Sequence, residues 1–206
     1  MSRGAFDAVL FDLLTALIDS WTLWNDVAGD PDAGMKWRRA YLQVTYGCGP
    51  YRPYETLVEE AAATVGIPPE KAAALAERWS ELRPWTETAS VLGALAGRAK
   101  LGVVTNCSAT KGRAAADIAF AGFDAIATAE EAGFYKPRPE PYALALERLG
   151  TAPERTLFVA GSASDVPGAS ALGMPVYWHN RIGLAATGDV APRWRERSLT
   201  PLLALI

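Results

Sequence analysis

Near the start of the chain, the stretch VLFDLLTAL from position 9 to 17 sets apolar residues on both sides of one carboxylate, Asp12. A run of that kind suits a strand buried on both faces of a parallel sheet, with the acid delivered at its carboxyl end. Such a strand must be covered by helices on each side, and the second half of the chain supplies them. From Thr88 the pattern alternates: helix 88–96, strand 101–105, helix 109–121, strand 124–127, helix 139–149, strand 156–160, helix 166–172 and strand 176–178, then a short amphipathic tail at 199–205. That rhythm predicts an α/β fold built on a doubly wound, Rossmann-like parallel sheet, with the first strand at 8–14.

Between the first strand and this alternating half, the periodicity is helical throughout. It starts at Ile18, with Asp19-Ser20 offering a cap. In the segment 35–46, Trp37, Ala40, Tyr41 and Val44 fall on one helical face. Arg38 then lies about 100° round, at the edge of that face, while Arg39 points roughly opposite, so Arg38 is the better candidate for a cleft. The loop GCGPYRP breaks this helix, and amphipathic helices follow at 54–65 and 70–82, the latter with a stripe of Ala72, Leu75, Ala76, Trp79 and Leu82. The expected organisation is a core of residues 1–19 and 85–206 with a helical cap, 20–84, inserted after the first strand. The aromatic-rich cap suits either a lid core or a homodimer interface.

Bulk properties narrow the function. The 206 residues are 50% hydrophobic and 21% charged, with a formal charge of -3 and no stripe of Lys or Arg, which speaks against nucleic acid or an anionic membrane as partner. Cys48 and Cys107 lack metal-ligand spacing, and the lone His179 does not complete a zinc site with them. Arg3 precedes an apolar run, but Asp7 and Asp12 interrupt any leader core, and no uncharged run approaches the length of a membrane span. A cytoplasmic protein is expected.

In a doubly wound sheet, ligands bind beyond the carboxyl ends of the strands at the switch point, where Asp12, Thr105, Lys136 and Asp165 should converge. Such a carboxylate can displace a leaving group, forming an ester that water then opens. An anionic substrate about 4 Å away would oppose the attack by about 4 kcal/mol at an effective dielectric near 20, close to a thousandfold in rate. Lys136 is the natural compensator, held outside any helix because Pro137 follows it. Thr105 and Asn106 offer a hydroxyl and an amide, although such residues also serve as turns and caps. Asp165 equally suits the start of a helix.

Four segments in order, VLFDLLTAL, VVTN, YKP and FVAGSASD, give the chain a likeness to the haloacid dehalogenase-like hydrolase superfamily, nearest to the (S)-2-haloacid dehalogenases of type II. Trp37-Arg38 looks like that family's Trp-Arg, and VYWHNR at 176–181 is similar to its strand before the C-terminal tail. The resemblance implies Asp12 as nucleophile, Arg38 and Asn106 as receivers of the halide, and Lys136 and Asp165 as essential, the latter helping to activate water. It implies substrate contacts at Leu14, Thr15, Thr105, Asn106, Tyr142 and Ser162. The partner expected is a small anionic substrate, and no cofactor is expected.

The chain also departs from its relatives. The superfamily's phosphatases carry a second Asp two positions after the nucleophile, where this chain has Leu14, which transfers no proton; a halide leaving group needs none. An acidic magnesium ligand is usual at the place of Gly161. Thr15 and Ala16 replace a Gly-Thr pair, removing a hydroxyl that would orient the carboxylates. Ala160 and Ser162 replace a Ser and an Asn, and Ser164 stands where an aromatic pocket wall is usual. Three readings follow: a metal-independent hydrolase of 2-halo acids, a phosphatase with Mg2+ at Asp12 and Asp165 acting on a small phosphate ester, and a non-catalytic binding protein on the same scaffold.

Overall fold

The structure is a computed structural model and describes residues 5–206. The sequence expectations for positions 1–4, including Arg3 as the start of a leader, lie outside the described residues. Five strands, β1 (Ala8–Asp12), β2 (Lys100–Thr105), β3 (Ala125–Thr128), β4 (Thr156–Ala160) and β5 (Val176–His179), and a short sixth, β6 (Trp194–Glu196), form one sheet in the order β3-β2-β1-β4-β5-β6. Every pairing is parallel, with Asp12 opposite Val104 and Phe11 opposite Val159. Strand order reverses between β1 and its two neighbours, so the end of β1 opens onto the crevice where ligands of such sheets bind.

Alternation along β1 divides the hydrophobic core in two. Val9 and Phe11 join Leu101, Val103, Leu157 and Val159 on the face covered by α5 (Thr88–Leu95) and α6 (Ala109–Ala119). Ala8 and Leu10 join Val104, Phe158, Val176 and Trp178 on the other face, under α8 (Pro139–Leu149) and α9 (Asp165–Ala171). Four helices come between β1 and α5: α1 (Ser20–Ala28), α2 (Pro31–Gly47), α3 (Tyr54–Thr64) and α4 (Pro69–Glu77). An aromatic chain knits them together, Trp24 against Trp37 at 4.7 Å, Tyr41 against Tyr54 at 5.5 Å and Tyr54 against Trp79 at 5.8 Å. Trp37 Nε1 donates to the Val58 carbonyl at 3.0 Å, joining α2 to α3. The layer is fastened to the sheet where Trp79 Nε1 donates to the Lys111 carbonyl of α6 at 3.0 Å.

Several boundaries differ from the sequence reading, each for a local reason. β1 stops at Asp12 instead of Leu14, because the Asp12 carboxylate captures the amides of Thr15 and Ala16 and turns the chain. The expected helix at 35–46 begins earlier, at Pro31, where Asp30 accepts from the Ala33 amide and proline fills the first turn. The helix expected at 70–82 tightens into a 3-10 turn over Arg78–Glu81. Three elements were not foreseen, one of them a 3-10 turn over Pro153–Arg155. α7 (Ala129–Ala132) is a single turn closed by a Thr128–Glu131 capping box, and β6 has only three residues, too few to show a period. No helix among the described residues is long and apolar enough to cross a membrane.

Leu10 is fully buried between α8 and the sheet, away from the four inserted helices. Leu10→Ala is expected to lower unfolding free energy by about 2–5 kcal/mol, read as a shifted urea midpoint with an unchanged slope.

Candidate active site

The turn after β1 grips its own acid. Asp12 Oδ2 accepts from the Thr15 amide at 2.9 Å, the Thr15 hydroxyl at 2.5 Å and the Ala16 amide at 3.2 Å, which leaves Oδ1 to Lys136 Nζ at 2.7 Å. Lys136 Nζ also donates to Asp165 Oδ2 at 3.1 Å, so one ammonium bridges two carboxylates from the ends of different strands. All three side chains are buried. The lysine is held in place by Asn106, whose Oδ1 accepts from the Lys136 amide at 2.7 Å and whose Nδ2 donates to the Lys136 carbonyl at 3.0 Å. Both ends of that carboxamide are engaged, leaving a single Nδ2 hydrogen uncommitted.

Burial opposes ionisation of Asp12, but the Lys136 charge, with hydrogen bonds from Lys136 and Thr15, outweighs it and holds the acid below its ordinary 3.8. At Asp165 burial dominates and, helped by the Asp12 charge, lifts the acid above 3.8 in spite of Lys136. Lys136, though buried, is kept protonated beyond its ordinary 10.5 by Asp12 and then Asp165. Two acids on one lysine are thereby driven in opposite directions, an arrangement suited to separate roles.

Asp12 and Lys136 lie at the floor of a chamber of about 50 Å³ whose walls include Leu14, Arg38, Thr105, Asn106 and Ser162. Arg38 is buried and enters from α2, its Nη1 donating to Ser20 at 2.7 Å and its guanidinium lying 4.0 Å from the Trp21 ring. Arg39 is exposed, as the helical phase predicts. Ser162 donates to Asp165 Oδ2 at 3.3 Å. Thr105 is buried against Cys107.

One position foreseen as a substrate contact is placed otherwise. Tyr142 is buried behind the chamber, its hydroxyl donating to Asp165 Oδ1 at 3.1 Å. Thr15 turns its hydroxyl onto Asp12, supplying the orientation that Ala16 was expected to leave missing, and does so without positive φ. Sequence reasoning missed Trp24, Tyr41 and Tyr54, which also line the chamber. Their place in an aromatic-rich helical block marked them as core, and only the packing of α1, α2 and α3 brings them to one chamber. His179, likewise unassigned, has Nδ1 2.8 Å from the Ala16 carbonyl. Burial lowers its pKa, so it braces this turn as a neutral ring.

The donor set does not suit magnesium. The Lys136 ammonium already pairs with both Asp12 and Asp165, the two acids that a magnesium ion here would draw on. A side chain at Gly161 would begin 2.2 Å from the Ala16 nitrogen and 2.2 Å from the Thr15 hydroxyl, so no acid fits there while the turn keeps this path. Among the described residues no group of three or more His, Cys, Asp or Glu is placed to hold a metal ion.

Comparison with known proteins agrees with the fold. A family model described as haloacid dehalogenase-like hydrolase matches residues 7–173. The (S)-2-haloacid dehalogenase of Pseudomonas putida is 29% identical over 191 residues, 84% of each chain. That of Xanthobacter autotrophicus is 30% identical over 209 residues, covering 90% of this chain and 81% of its own. The crystal structure of the L-2-haloacid dehalogenase RSc1362 superposes with a TM-score of 0.85 at 26% identity, covering 97% of this chain and 98% of that one.

Asp12 contributes stability above its ordinary 3.8 that is lost as pH falls through its lower folded value, whereas Lys136 contributes below 10.5 and loses its contribution only as pH rises through its higher folded value. Lys136→Met strands both carboxylates, so their folded pKa values should rise and the sign at Asp12 should reverse. The variant is expected to lose about 3–5 kcal/mol at neutral pH and to regain part of it on mild acidification, followed by urea unfolding across pH.

Proposed function

The chain belongs to the haloacid dehalogenase-like hydrolase family, and from that premise we propose that it hydrolyses small 2-halo carboxylates, with residues 20–84 as a cap over a core of 1–19 and 85–206. The observation that carries the reading is Lys136 bridging Asp12 and Asp165 at the floor of a chamber that Arg38 enters from the helices above. Asp12 Oδ1, the oxygen with fewer donors, attacks the halogen-bearing carbon from behind. The carbon–oxygen bond forms as the carbon–halogen bond breaks, and the halide leaves with the bonding pair. Lys136 and Arg38 offset the charge of the approaching substrate carboxylate.

The second step falls to Asp165. Its raised pKa suits a base that takes a proton from water, whose oxygen then adds to the Asp12 ester carbonyl. Cleavage of the ester's acyl bond frees a 2-hydroxy acid of inverted configuration and restores Asp12. Tyr142 and Ser162 hold Asp165 in place through its two oxygens. The halide of the first step leaves without a proton, in keeping with Leu14 two residues past the nucleophile, and the alkoxide of the second step takes back the proton that Asp165 removed from water.

The test is halide release from the enantiomers of 2-chloropropanoate and from chloroacetate. Turnover of one enantiomer should survive EDTA and fall at least about a thousandfold in Asp12→Asn, while EDTA-sensitive phosphate release would favour the phosphatase reading instead. In a single turnover in 18O-water, the label should enter the Asp12 carboxylate and be missing from the product; label in the product would mean direct attack by water. Arg38→Ala should raise KM and lower kcat far more than Arg39→Ala, and equal effects would remove Arg38 from the site.

A further inference from the structure

A departing halide needs donors, and the two residues expected to receive it are partly committed elsewhere. Arg38 Nη1 donates to Ser20 and both ends of the Asn106 side chain serve the Lys136 main chain. Two other donors in the chamber walls are idle. Trp24 Nε1 and the Tyr54 hydroxyl are buried with no hydrogen-bond partner among the described residues, and both residues line the chamber that holds Asp12. They flank Tyr41, whose ring lies 5.7 Å from Trp24 and 5.5 Å from Tyr54, and Tyr41 itself is satisfied by the Asn106 carbonyl at 2.8 Å. An unpaired buried donor is costly, and two beside one guanidinium call for an anionic acceptor brought from outside. Burial also holds the Tyr54 phenol well above its ordinary pKa, so it stays a donor at any working pH.

We propose that Tyr54 and Trp24 are catalytic residues that donate to the leaving halide, completing with Arg38 an anion hole for the departing group. This rests on the dehalogenase reading of the same chamber. As the Asp12–carbon bond forms, the halogen takes the carbon–halogen pair, and the N–H and O–H hydrogen-bond it without giving up their protons. The bonds strengthen as charge collects on the halogen, so they favour the transition state over the bound substrate. Hydrogen bonding to a halide grows with its charge density, which directs the site toward chloro and fluoro acids.

Tyr54→Phe removes one unpartnered buried hydroxyl and should leave the urea midpoint unlowered or shift it upward. Its kcat should fall roughly 10²–10³-fold on fluoro- and chloroacetate and less on the bromo and iodo acids, with KM little altered. Trp24→Phe should repeat the ordering. A loss equal for all four halogens, or none, would overturn the proposal. If the wild type releases no halide at all, the dehalogenase reading falls and titration with sodium fluoride and chloride, followed by tryptophan fluorescence, decides the anion hole alone. Roughly tenfold weaker binding in Tyr54→Phe would uphold it, and equal binding would overturn it.

Discussion

One ammonium shared by two buried carboxylates organises the molecule. Lys136 reaches Asp12 at 2.7 Å and Asp165 at 3.1 Å, so the ends of β1 and β4 and the loop before α8 must meet at one point. Without the lysine, two acids this close and this buried would not both ionise. With it, they are left unequal. Asp12 receives three further donors and stays an anion, whereas Asp165 keeps a greater appetite for protons. A sheet whose strand order reverses at β1 gives this cluster its opening, and the four inserted helices supply the opposing wall.

The tightness of the turn after Asp12 has a second effect. Gly161 of the neighbouring strand end passes so close to Thr15 and Ala16 that a methyl group would collide with the main chain. Phosphatase chemistry of the related kind asks for an acid at that place and another at Leu14. Installing the first would mean moving the turn that orients Asp12. The path of the backbone thus restricts which side chain position 161 accepts.

Much of this was legible in the sequence. Asp12, Lys136 and Asp165 stand at the ends of apolar runs or before a proline, where local rules predict strand termini, and Arg38 is phased by the helix around it. What stayed hidden depends on neighbours remote in sequence. That Thr15 replaces a missing hydroxyl follows from a turn whose path only the folded loop reveals. That Asn106 binds the main chain of Lys136 joins residues thirty apart. The vacant donors of Trp24 and Tyr54 are invisible to periodicity, because an aromatic on the apolar face of a helix has the same pattern whether or not its polar atom finds a partner. β6 escaped because three residues carry no period.

The neutral ring of His179, tucked under the Ala16 carbonyl, bears on the conditions under which such a catalyst works. It is the sole imidazole of the chain, and it is spent as a strut. Asp165 apart, the charges of the chamber are fixed on both sides of neutrality: Asp12 is held ionised below its ordinary range, Lys136 is kept protonated above its own, and burial keeps the phenols of Tyr41 and Tyr54 protonated. Activity should form a broad plateau, extending far to the basic side and bounded on the acid side by the carboxyl that handles water. Under the dehalogenation proposed above, each turnover releases a proton along with the halide, so the one limb that the product can reach is the acidic limb.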